Sequence, residues 1–233
     1  MSEQRSDSIR LKYLQAMGVD VWIRRDQPQP VVVSENLTEK DGEPDVSVEQ
    51  QWDDLAAEVS ACQACSLSAT RTQTVFGSGN RQAQWMLVGE APGQQEDLEG
   101  KPFVGRAGLL LTEMIRALGL SREQVYITNI LKCRPPGNRD PKSEEVDACS
   151  TYLQRQIKLV QPKIILAVGR IAAQNLLHTK EPLAKLRGVV HQMDDIPVVV
   201  IYHPAYLLRT LLEKRKAWQD LKFALRVFHQ RKG

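Results

Sequence analysis

The segment GEAPGQQED, residues 89–97, combines a glycine turn with three carboxylates, those of Glu90, Glu96 and Asp97. It follows the apolar run QWMLV, which predicts a buried strand that ends at this turn. A glycine turn after a buried strand is typical of a phosphate site, but carboxylates in the same place would repel a phosphate. The segment therefore argues against a phosphate ligand, and its chemistry has to be inferred from the residues around it.

Three more side chains fall at strand ends or on loops, where ligand contacts are common. His203 ends the apolar run IPVVVIYH, Asn129 follows VYIT, and Phe103 lies on the loop GKPFVGRAG. Asn129 would be costly to bury without hydrogen-bond partners, and it could recognise an amide edge. For His203 the alternative to chemistry is a structural role, and for Phe103 the alternative to stacking on a flat ligand is a core position.

The cysteines of the chain are Cys62, Cys65, Cys133 and Cys149. A Cys-x2-Cys pair followed by two distant cysteines suits one four-thiolate metal site better than disulfides, because disulfides are uncommon in the cytosol. Zinc and an iron–sulfur cluster both accept four thiolates, and this spacing differs from the two close pairs of a zinc knuckle. Buried thiols without a ligand are the remaining alternative.

Short apolar runs alternate with amphipathic helices in the larger, carboxyl-terminal part of the chain. This pattern predicts an α/β fold with three layers, αβα, around a mostly parallel four-stranded sheet. The carboxyl ends of parallel strands share one edge of a sheet, where ligands of such folds bind. The turn at Gly89, Asn129 and His203 are therefore expected to meet at this edge. The strands are predicted at 84–89, 125–131, 163–169 and 196–203, with a short edge strand at 189–191.

The carboxyl-terminal segment RTLLEKRKAWQDLKFALRVFHQRKG is the most basic part of a chain whose net charge is +3. Its basic residues form either a solvated helix face or a surface that contacts nucleic-acid phosphates. Together with the strand-end residues, the second possibility fits chemistry at a base flipped out of a nucleic acid. The apolar residues predict one buried helical stripe of Leu207, Leu211, Trp218, Leu221, Leu225 and Phe228.

The amino-terminal residues differ in composition from the rest of the 233-residue chain. Residues 1–26 contain a short helical pattern that Gly18 would end, and residues 27–48, rich in proline and acids, predict a flexible linker. The main domain is predicted at residues 49–233. We find neither an apolar run of about 20 residues nor the apolar core of a signal peptide, so a cytoplasmic protein without membrane contact is expected.

Residues 51–230 closely resemble the family 4 uracil-DNA glycosylases, the iron–sulfur enzymes of the uracil-DNA glycosylase superfamily. The resemblance implies that superfamily's parallel four-stranded sheet between helices. It also implies base excision repair: hydrolysis of the N-glycosidic bond of a flipped-out deoxyuridine, which leaves an abasic site. The partner would be uracil-containing DNA, single- or double-stranded, and a monomer is expected. The motifs that carry the resemblance are GEAPGQQED (89–97), GKPFVGRAG (100–108), NILKCRPPGNRDP (129–141) and HPAYLLR (203–209).

The resemblance also implies roles for individual residues at the base. Uracil would stack on Phe103, and Asn129 would hydrogen-bond its N3 and O4 edge and so reject cytosine. The backbone of GEAPG, including Ala91, would hold uracil O2, where His203 would stabilise the negative charge that develops as the bond breaks. Better-known superfamily members carry an aspartate at the position of Ala91.

Without that aspartate, either Glu90 or Glu96 would position the attacking water. Glu90 is favoured for this role, and Glu96 would line the pocket. On the DNA side, Leu207 and Leu208 would wedge into the gap left by the flipped nucleotide, and Arg209 would hold phosphates. The four cysteines would bind a 4Fe–4S cluster with a structural role, with zinc as the alternative.

Residues 14–25, LQAMGVDVWIRR, resemble the amino-terminal peptide of the psi subunit of bacterial clamp loaders. The shared pattern is a short helix, a glycine, an aliphatic residue, a tryptophan two residues further on, and arginines. It implies a tether that presents Leu14, Met17 and Trp22 to subunits of the DNA polymerase III clamp loader. The alternative function is therefore a replication accessory protein that binds the clamp loader through residues 8–25, with or without glycosylase activity. An extra helix folded onto the main domain is the structural alternative.

Overall fold

A computed structural model describes residues 47–230 of the chain. The side chain of Ser47 caps the first helix by accepting a hydrogen bond of 3.2 Å from the backbone N–H of Gln50. This helix begins at Val48, which the sequence pattern assigns to the linker, and ends just before Cys62. The helices are α1 (Val48–Ala61), α2 (Gln94–Glu99), α3 (Arg106–Ala117), α4 (Ser143–Val160), α5 (Arg170–Leu176), α6 (Leu183–Leu186), α7 (Pro204–Arg209) and α8 (Lys214–Gln230).

The strands of the described residues are β1 (Ser78–Gly79), β2 (Trp85–Gly89), β3 (Tyr126–Asn129), β4 (Ile164–Val168), β5 (Val190–Met193) and β6 (Ile196–Ile201). They form one sheet in the order β1-β3-β2-β4-β6-β5. The four central strands are parallel, which confirms the predicted sheet, and the two short edge strands run antiparallel to their neighbours. β5 corresponds to the predicted edge strand, whereas β1 is too short to produce an alternating pattern in the sequence.

The register brings the carboxyl ends of the parallel strands to the same level. Gly89, the last residue of β2, pairs with Asn129, the last residue of β3. Val168 at the end of β4 pairs with Ile201 at the end of β6. The segments that follow these four strands therefore meet at one edge of the sheet, as the sequence predicts.

Helices cover both faces of the sheet and produce the predicted three layers. Successive residues of β2 point to opposite faces, so Leu87 belongs to one buried cluster and Met86 to the other. The cluster on one face includes residues of α3 and α8, such as Leu111 and Phe228. The cluster on the other face includes residues of α1, α4 and α5, such as Trp52.

The predicted single stripe along the carboxyl-terminal segment is wrong, because two helices replace one. α7 ends at Arg209, a short 3-10 turn follows, and α8 begins at Lys214, so the helical phase is reset between them. Leu211 on the turn is 63% exposed and Trp218 on α8 is 45% exposed, although both were predicted inside. Leu221 and Phe228 are buried as predicted.

The predicted amino-terminal peptide, residues 1–26, and almost all of the predicted linker, residues 27–48, lie outside the described residues. The residues assigned to clamp-loader docking, Leu14, Met17 and Trp22, are among them, so that docking stays a prediction. Within residues 47–230, no helix combines the length and the apolar character that crossing a membrane requires.

Candidate active site

A cleft of about 730 Å³ opens at the edge of the sheet where the parallel strands end. Each central strand contributes to its lining: Glu90 follows β2, Asn129 ends β3, Gly169 follows β4 and His203 follows β6. Phe103, on the loop between α2 and α3, forms another part of the wall. The structure therefore brings together the strand-end residues that the sequence singled out.

Gly89 allows two of these side chains to approach the end of β2. A Cβ atom on Gly89 would lie 2.3 Å from Asn129 Oδ1 and 2.5 Å from Phe103 Cζ. Both distances are shorter than any normal contact, so a side chain at this position would displace Asn129 or Phe103 from the cleft. The glycine of the turn thus makes room for an amide and a ring rather than for a phosphate.

Phe103 is held in place by an uncommon backbone conformation and by Glu96. Its φ is 55°, in the left-handed region, and its side chain is buried. Glu96 Oε1 accepts hydrogen bonds from the next two backbone N–H groups, Val104 at 3.0 Å and Gly105 at 3.4 Å. Because one carboxylate oxygen of Glu96 is committed to this loop, Glu96 acts on the position of Phe103.

Asn129 is 2% exposed, and its Oδ1 atom has no hydrogen-bond partner among the described residues. An unpaired buried acceptor is destabilising by about 1–3 kcal/mol relative to a paired one. A ligand that enters the cleft with an N–H group at this position would satisfy it. Asn129 is therefore the strongest indication that the cleft is built for a ligand with an amide-like edge.

His203 is a neutral donor toward the cleft. Its Nδ1 accepts a hydrogen bond of 3.2 Å from the backbone N–H of Ala205, so the neutral ring carries its proton on Nε2. Burial and the positive charge of Arg209 lower the pKa of His203 to about 4. Its ring centroid lies 5.8 Å from that of Phe103. A ligand that stacks on Phe103 would thus lie beside an N–H donor.

Glu90 differs from Glu96 in its electrostatic surroundings. Burial, the largest cause, and the negative charge of Asp140 raise the pKa of Glu90 to about 7 against the opposing effect of the positive charge of Arg170. Arg170 and Asp140 form an ion pair of 2.8 Å at the mouth of the cleft. A carboxyl group with a pKa near neutrality can take up a proton during a reaction, which supports Glu90 as the base. Glu96 is less suited to this role because its Oε1 already accepts hydrogen bonds from the Phe103 loop.

The ion pair of Asp140 and Arg170 is a part of the site that the sequence analysis missed. Asp140 lies in the motif NRDP and Arg170 directly follows the strand end AVG, so both occupy positions where ligand contacts were expected. Their mutual contact depends on the crossover between β3 and β4, which no local pattern specifies. Ala91 also lines the cleft, but its methyl group packs against the cysteine cluster that contains Cys133 and Cys149.

The structure buries Leu207, one of the two leucines predicted to wedge into DNA. Leu207 is 1% exposed and belongs to the core cluster beneath α7. Leu208 is partly exposed, and Arg209 is exposed and lines the cleft. The helix α7 turns Leu207 inward because positions 207 and 208 of a helix face directions about 100° apart.

The cysteine residues converge although they come from three parts of the chain. Cys62 and Cys65 follow α1, Cys133 follows β3, and Cys149 lies on α4, as the sequence predicted. All four line one small cavity. In the described residues, no set of three or more Cys, His, Asp or Glu side chains is arranged to hold a metal ion.

Two hydrogen bonds reach the sulfur atoms of this cavity. Arg71 Nη1 donates to Cys133 Sγ at 3.2 Å, and the backbone N–H of Lys132 donates to Cys149 Sγ at 3.3 Å. Burial raises the pKa of the Cys149 thiol to about 11 and also raises the pKa of Cys133. A metal or cluster that binds here would displace the thiol protons of the cysteines. The Arg71 side chain and the Lys132 N–H would then stabilise the bound thiolates.

Comparison with known proteins assigns the chain to a family. Residues 76–222 match the family model of the uracil DNA glycosylase superfamily, a range that contains every residue of the cleft described above. The chain belongs to the uracil-DNA glycosylase superfamily. This result confirms the resemblance inferred from the sequence motifs. The match begins after Cys62 and Cys65, so it covers two of the four cysteines.

Proteins similar to this chain include several curated type-4 uracil-DNA glycosylases. The chain is 47% identical to that of Archaeoglobus fulgidus over 167 residues, which cover 68% of this chain and 84% of the relative. It is 48% identical to that of Saccharolobus solfataricus over 66% of this chain and 76% of the relative. It is 43% identical to that of Thermotoga maritima over 69% of this chain and 85% of the relative.

Proposed function

We propose that this chain is a uracil-DNA glycosylase that binds flipped-out deoxyuridine in the cleft and hydrolyses its N-glycosidic bond. Family membership and the curated relatives support the activity. The observation that carries the assignment of the cleft is the unpaired, buried Oδ1 atom of Asn129, which lies beside Phe103 at the edge of the sheet. The products are free uracil and an abasic site in DNA.

Base recognition follows from the hydrogen-bonding groups of uracil. Its N3–H donates to Asn129 Oδ1, and its O4 accepts from the amide nitrogen of the same side chain. Cytosine has an acceptor at N3 and an amino group at C4, so both groups are reversed, and an Asn129 amide in the orientation that pairs with uracil would be left unpaired. Phe103 stacks on one face of the base.

Departure of the base is assisted by His203. The C1′–N1 bond breaks with its electron pair moving to uracil, so negative charge develops at O2. His203 Nε2–H donates to O2 as a neutral donor, because the pKa of His203 is lowered to about 4. The ring does not transfer its proton, and stabilisation comes from the preorganised hydrogen bond.

Glu90 completes the hydrolysis on the sugar. Its carboxylate stabilises the positive charge that develops on the deoxyribose and orients a water molecule. The water oxygen bonds to C1′, and its proton passes to Glu90, whose pKa of about 7 suits a proton acceptor at neutral pH. We assign Glu96 to holding the Phe103 loop through Val104 and Gly105.

DNA contacts are proposed for the exposed surface next to the cleft. Arg209 lies at the cleft and is placed to hold a phosphate on either side of the flipped nucleotide. Because Leu207 is buried, we assign Leu208, Leu211 and Leu212 to fill the gap that the flipped nucleotide leaves between the stacked bases. Leu211 is 63% and Leu212 is 90% exposed. After Glu213, which forms an ion pair with Lys216, come three cations, Lys214, Arg215 and Lys216.

A 4Fe–4S cluster is the group we propose for the four cysteines, and zinc is the alternative. The four thiols line a shared cavity, and four thiolates are a donor set that either a 4Fe–4S cluster or zinc accepts. The group would supply structural cross-linking of α1, α4 and the segment after β3. The type-4 assignment of the relatives supports the cluster.

Uracil release from a single-stranded oligonucleotide tests the proposed function. We expect the iron-loaded protein to release uracil and Asn129→Ala to lose most of this activity. Asn175→Ala is the matched control, because Asn175 lies on α5 with its amide bonded to the backbone of Ile171. Absence of uracil release by the iron-loaded wild type would refute the proposal. Docking of residues 1–26 to a clamp loader is a separate prediction.

A further inference from the structure

Lys132 is a fully buried lysine beside the cysteine cavity, and its side chain turns back to the backbone of Asn129. It is 1% exposed, and it lies three residues after Asn129 and directly before Cys133. Its Nζ atom donates to three acceptors, each at 2.7 Å: Thr128 Oγ1, the backbone carbonyl of Asn129 and Gln156 Oε1. All three donor positions of the ammonium group are therefore used.

No carboxylate is among these hydrogen-bond partners, so burial of the ammonium group is unfavourable relative to an apolar side chain of similar length. An apolar side chain would, however, leave the carbonyl of Asn129 without this donor. The feature of Lys132 that packing alone does not explain is its bond to the residue that faces the ligand.

The orientation of Asn129 depends on its backbone more than on its own side chain. Its Oδ1 has no partner among the described residues, so no protein hydrogen bond fixes that oxygen. The segment after Asn129 is bound to β2 through Ile130 N–H to Gly89 O at 2.9 Å and Leu131 N–H to Glu90 O at 3.0 Å. The Lys132 side chain adds a hydrogen bond at the start of this segment, to the backbone carbonyl of Asn129.

The main chain of Lys132 is anchored on both sides. Its carbonyl accepts a hydrogen bond of 2.8 Å from the N–H of Val75, and its N–H donates to Cys149 Sγ. A side chain that starts from a fixed backbone can hold its ammonium at a fixed place. The contacts with Gln156 on α4 and with Thr128 on β3 hold the other two donors.

We propose that Lys132 is a positioning residue for base recognition, which fixes the Asn129 backbone so that its amide is aligned with uracil. The proposal rests on the proposed function, because it assigns Asn129 to the base. It predicts that the side chain of Lys132 affects uracil affinity and the chemical step, while the contacts with the rest of the DNA are unchanged.

The test compares Lys132→Met with the matched control Gln156→Met. Both variants remove one member of the same buried network and introduce the same side chain, but only Lys132→Met frees the Asn129 carbonyl. The dissociation constant of free uracil is measured by calorimetry, kcat and KM on a uracil-containing single strand, and stability by thermal unfolding. Iron content is measured for every variant.

We expect Lys132→Met to weaken uracil binding about tenfold and to lower kcat similarly, because a misaligned Asn129 amide would lose about one hydrogen bond to the base. Its KM for DNA is expected to change by less than about twofold. Gln156→Met should lower the unfolding temperature comparably and keep uracil affinity within about twofold of the wild type. In an Asn129→Ala background, Lys132→Met should cause no further loss of uracil affinity, because its effect passes through Asn129.

Wild-type uracil affinity in folded, iron-loaded Lys132→Met would overturn the inference and leave the proposed function standing. Equal losses of affinity in both variants, in proportion to stability, would also overturn it. If Lys132→Met does not fold, Lys132→Arg replaces it and has the same two outcomes, because its larger planar fork cannot reproduce three bonds from one nitrogen atom. A wild type that releases no uracil refutes the proposed function instead.

Discussion

Gly89 and Asn129 face each other at the ends of β2 and β3, and the Asn129 amide has room only because Gly89 lacks a Cβ atom. The same missing atom admits the ring of Phe103. The two side chains proposed to recognise the base thus have room because Gly89 carries a hydrogen atom where other residues carry a Cβ atom. A phosphate-binding turn uses glycine to expose N–H groups, whereas this turn uses it to make space for neighbouring side chains.

Gly89→Ala is therefore expected to reduce uracil release by about 10²-fold, since a misplacement of about 1 Å can have an effect of that size. The reason is the 2.3 Å separation between the new Cβ and Asn129 Oδ1. Release kinetics and free-uracil binding measure the effect. Gly105→Ala is the control, because the nearest atom to its Cβ would lie at 3.8 Å. Near-normal activity of Gly89→Ala would contradict the assigned geometry.

The pH dependence of kcat is expected to report the ionisation of Glu90. Because its carboxylate is the acting form and its pKa is about 7, kcat should rise with pH through about 7. Glu90→Gln should lower kcat by about 10²–10⁴-fold and remove the rise. Arg170→Gln should move the rise to higher pH, since Arg170 lowers the pKa of Glu90, and Asp140→Asn should move it to lower pH. A rise that none of these variants changes would exclude Glu90.

The same pKa predicts how stability changes with pH. In the folded protein the pKa of Glu90 is raised from 4.5 to about 7, so between these values the folded state binds more protons than the unfolded state. The contribution of Glu90 to the free energy of unfolding should therefore fall as pH rises from about 4.5 to about 7 and stay constant above. Denaturant unfolding of the wild type and Glu90→Gln at several pH values measures it. The stability of Glu90→Gln relative to the wild type should increase over this window and not outside it.

The strand ends could be predicted from the sequence because a parallel sheet places them at one edge whatever the details of packing. That rule brought Glu90, Asn129 and His203 together in advance. It could not distinguish Glu90 from Glu96, because the difference lies in hydrogen bonds to Val104 and Gly105 that form only when the loop folds back.

The errors have an equally physical origin. The predicted stripe correctly places Leu207 in the core. The same residue is also assigned to DNA, and one side chain cannot serve both roles. Leu211 and Trp218 were predicted inside because the helical period was extended through Thr210, where the chain leaves α7. A break in a helix that carries neither proline nor glycine leaves no local signal in the sequence.

His203→Ala is expected to lower kcat by about 10²–10³-fold, the usual effect of removing one donor to a developing oxyanion. Because the pKa of His203 is about 4, the profile of Glu90→Gln, which lacks the step assigned to Glu90, should show no protonation step of histidine near its ordinary value of 6.5. Single-turnover rates measured from pH 5 to pH 9 test both statements. His178→Ala is the control, since His178 is exposed and does not line the cleft. A loss confined to DNA binding would contradict the role at O2.

The same substitution is predicted to affect stability at Leu207 and activity on double-stranded DNA at Leu212. Leu207→Ala removes a side chain that is 1% exposed and should reduce the free energy of unfolding by about 2–5 kcal/mol. Leu212→Ala removes one that is 90% exposed, so stability should change by less than about 0.5 kcal/mol.

If Leu212 fills the gap left by the flipped nucleotide, Leu212→Ala should lose activity on double-stranded DNA and keep it on single strands, because only the duplex has to be opened. Thermal unfolding and uracil release from matched single- and double-stranded substrates measure these effects. Equal losses on both substrates would place Leu212 outside the gap and leave Leu208 or Leu211 to fill it.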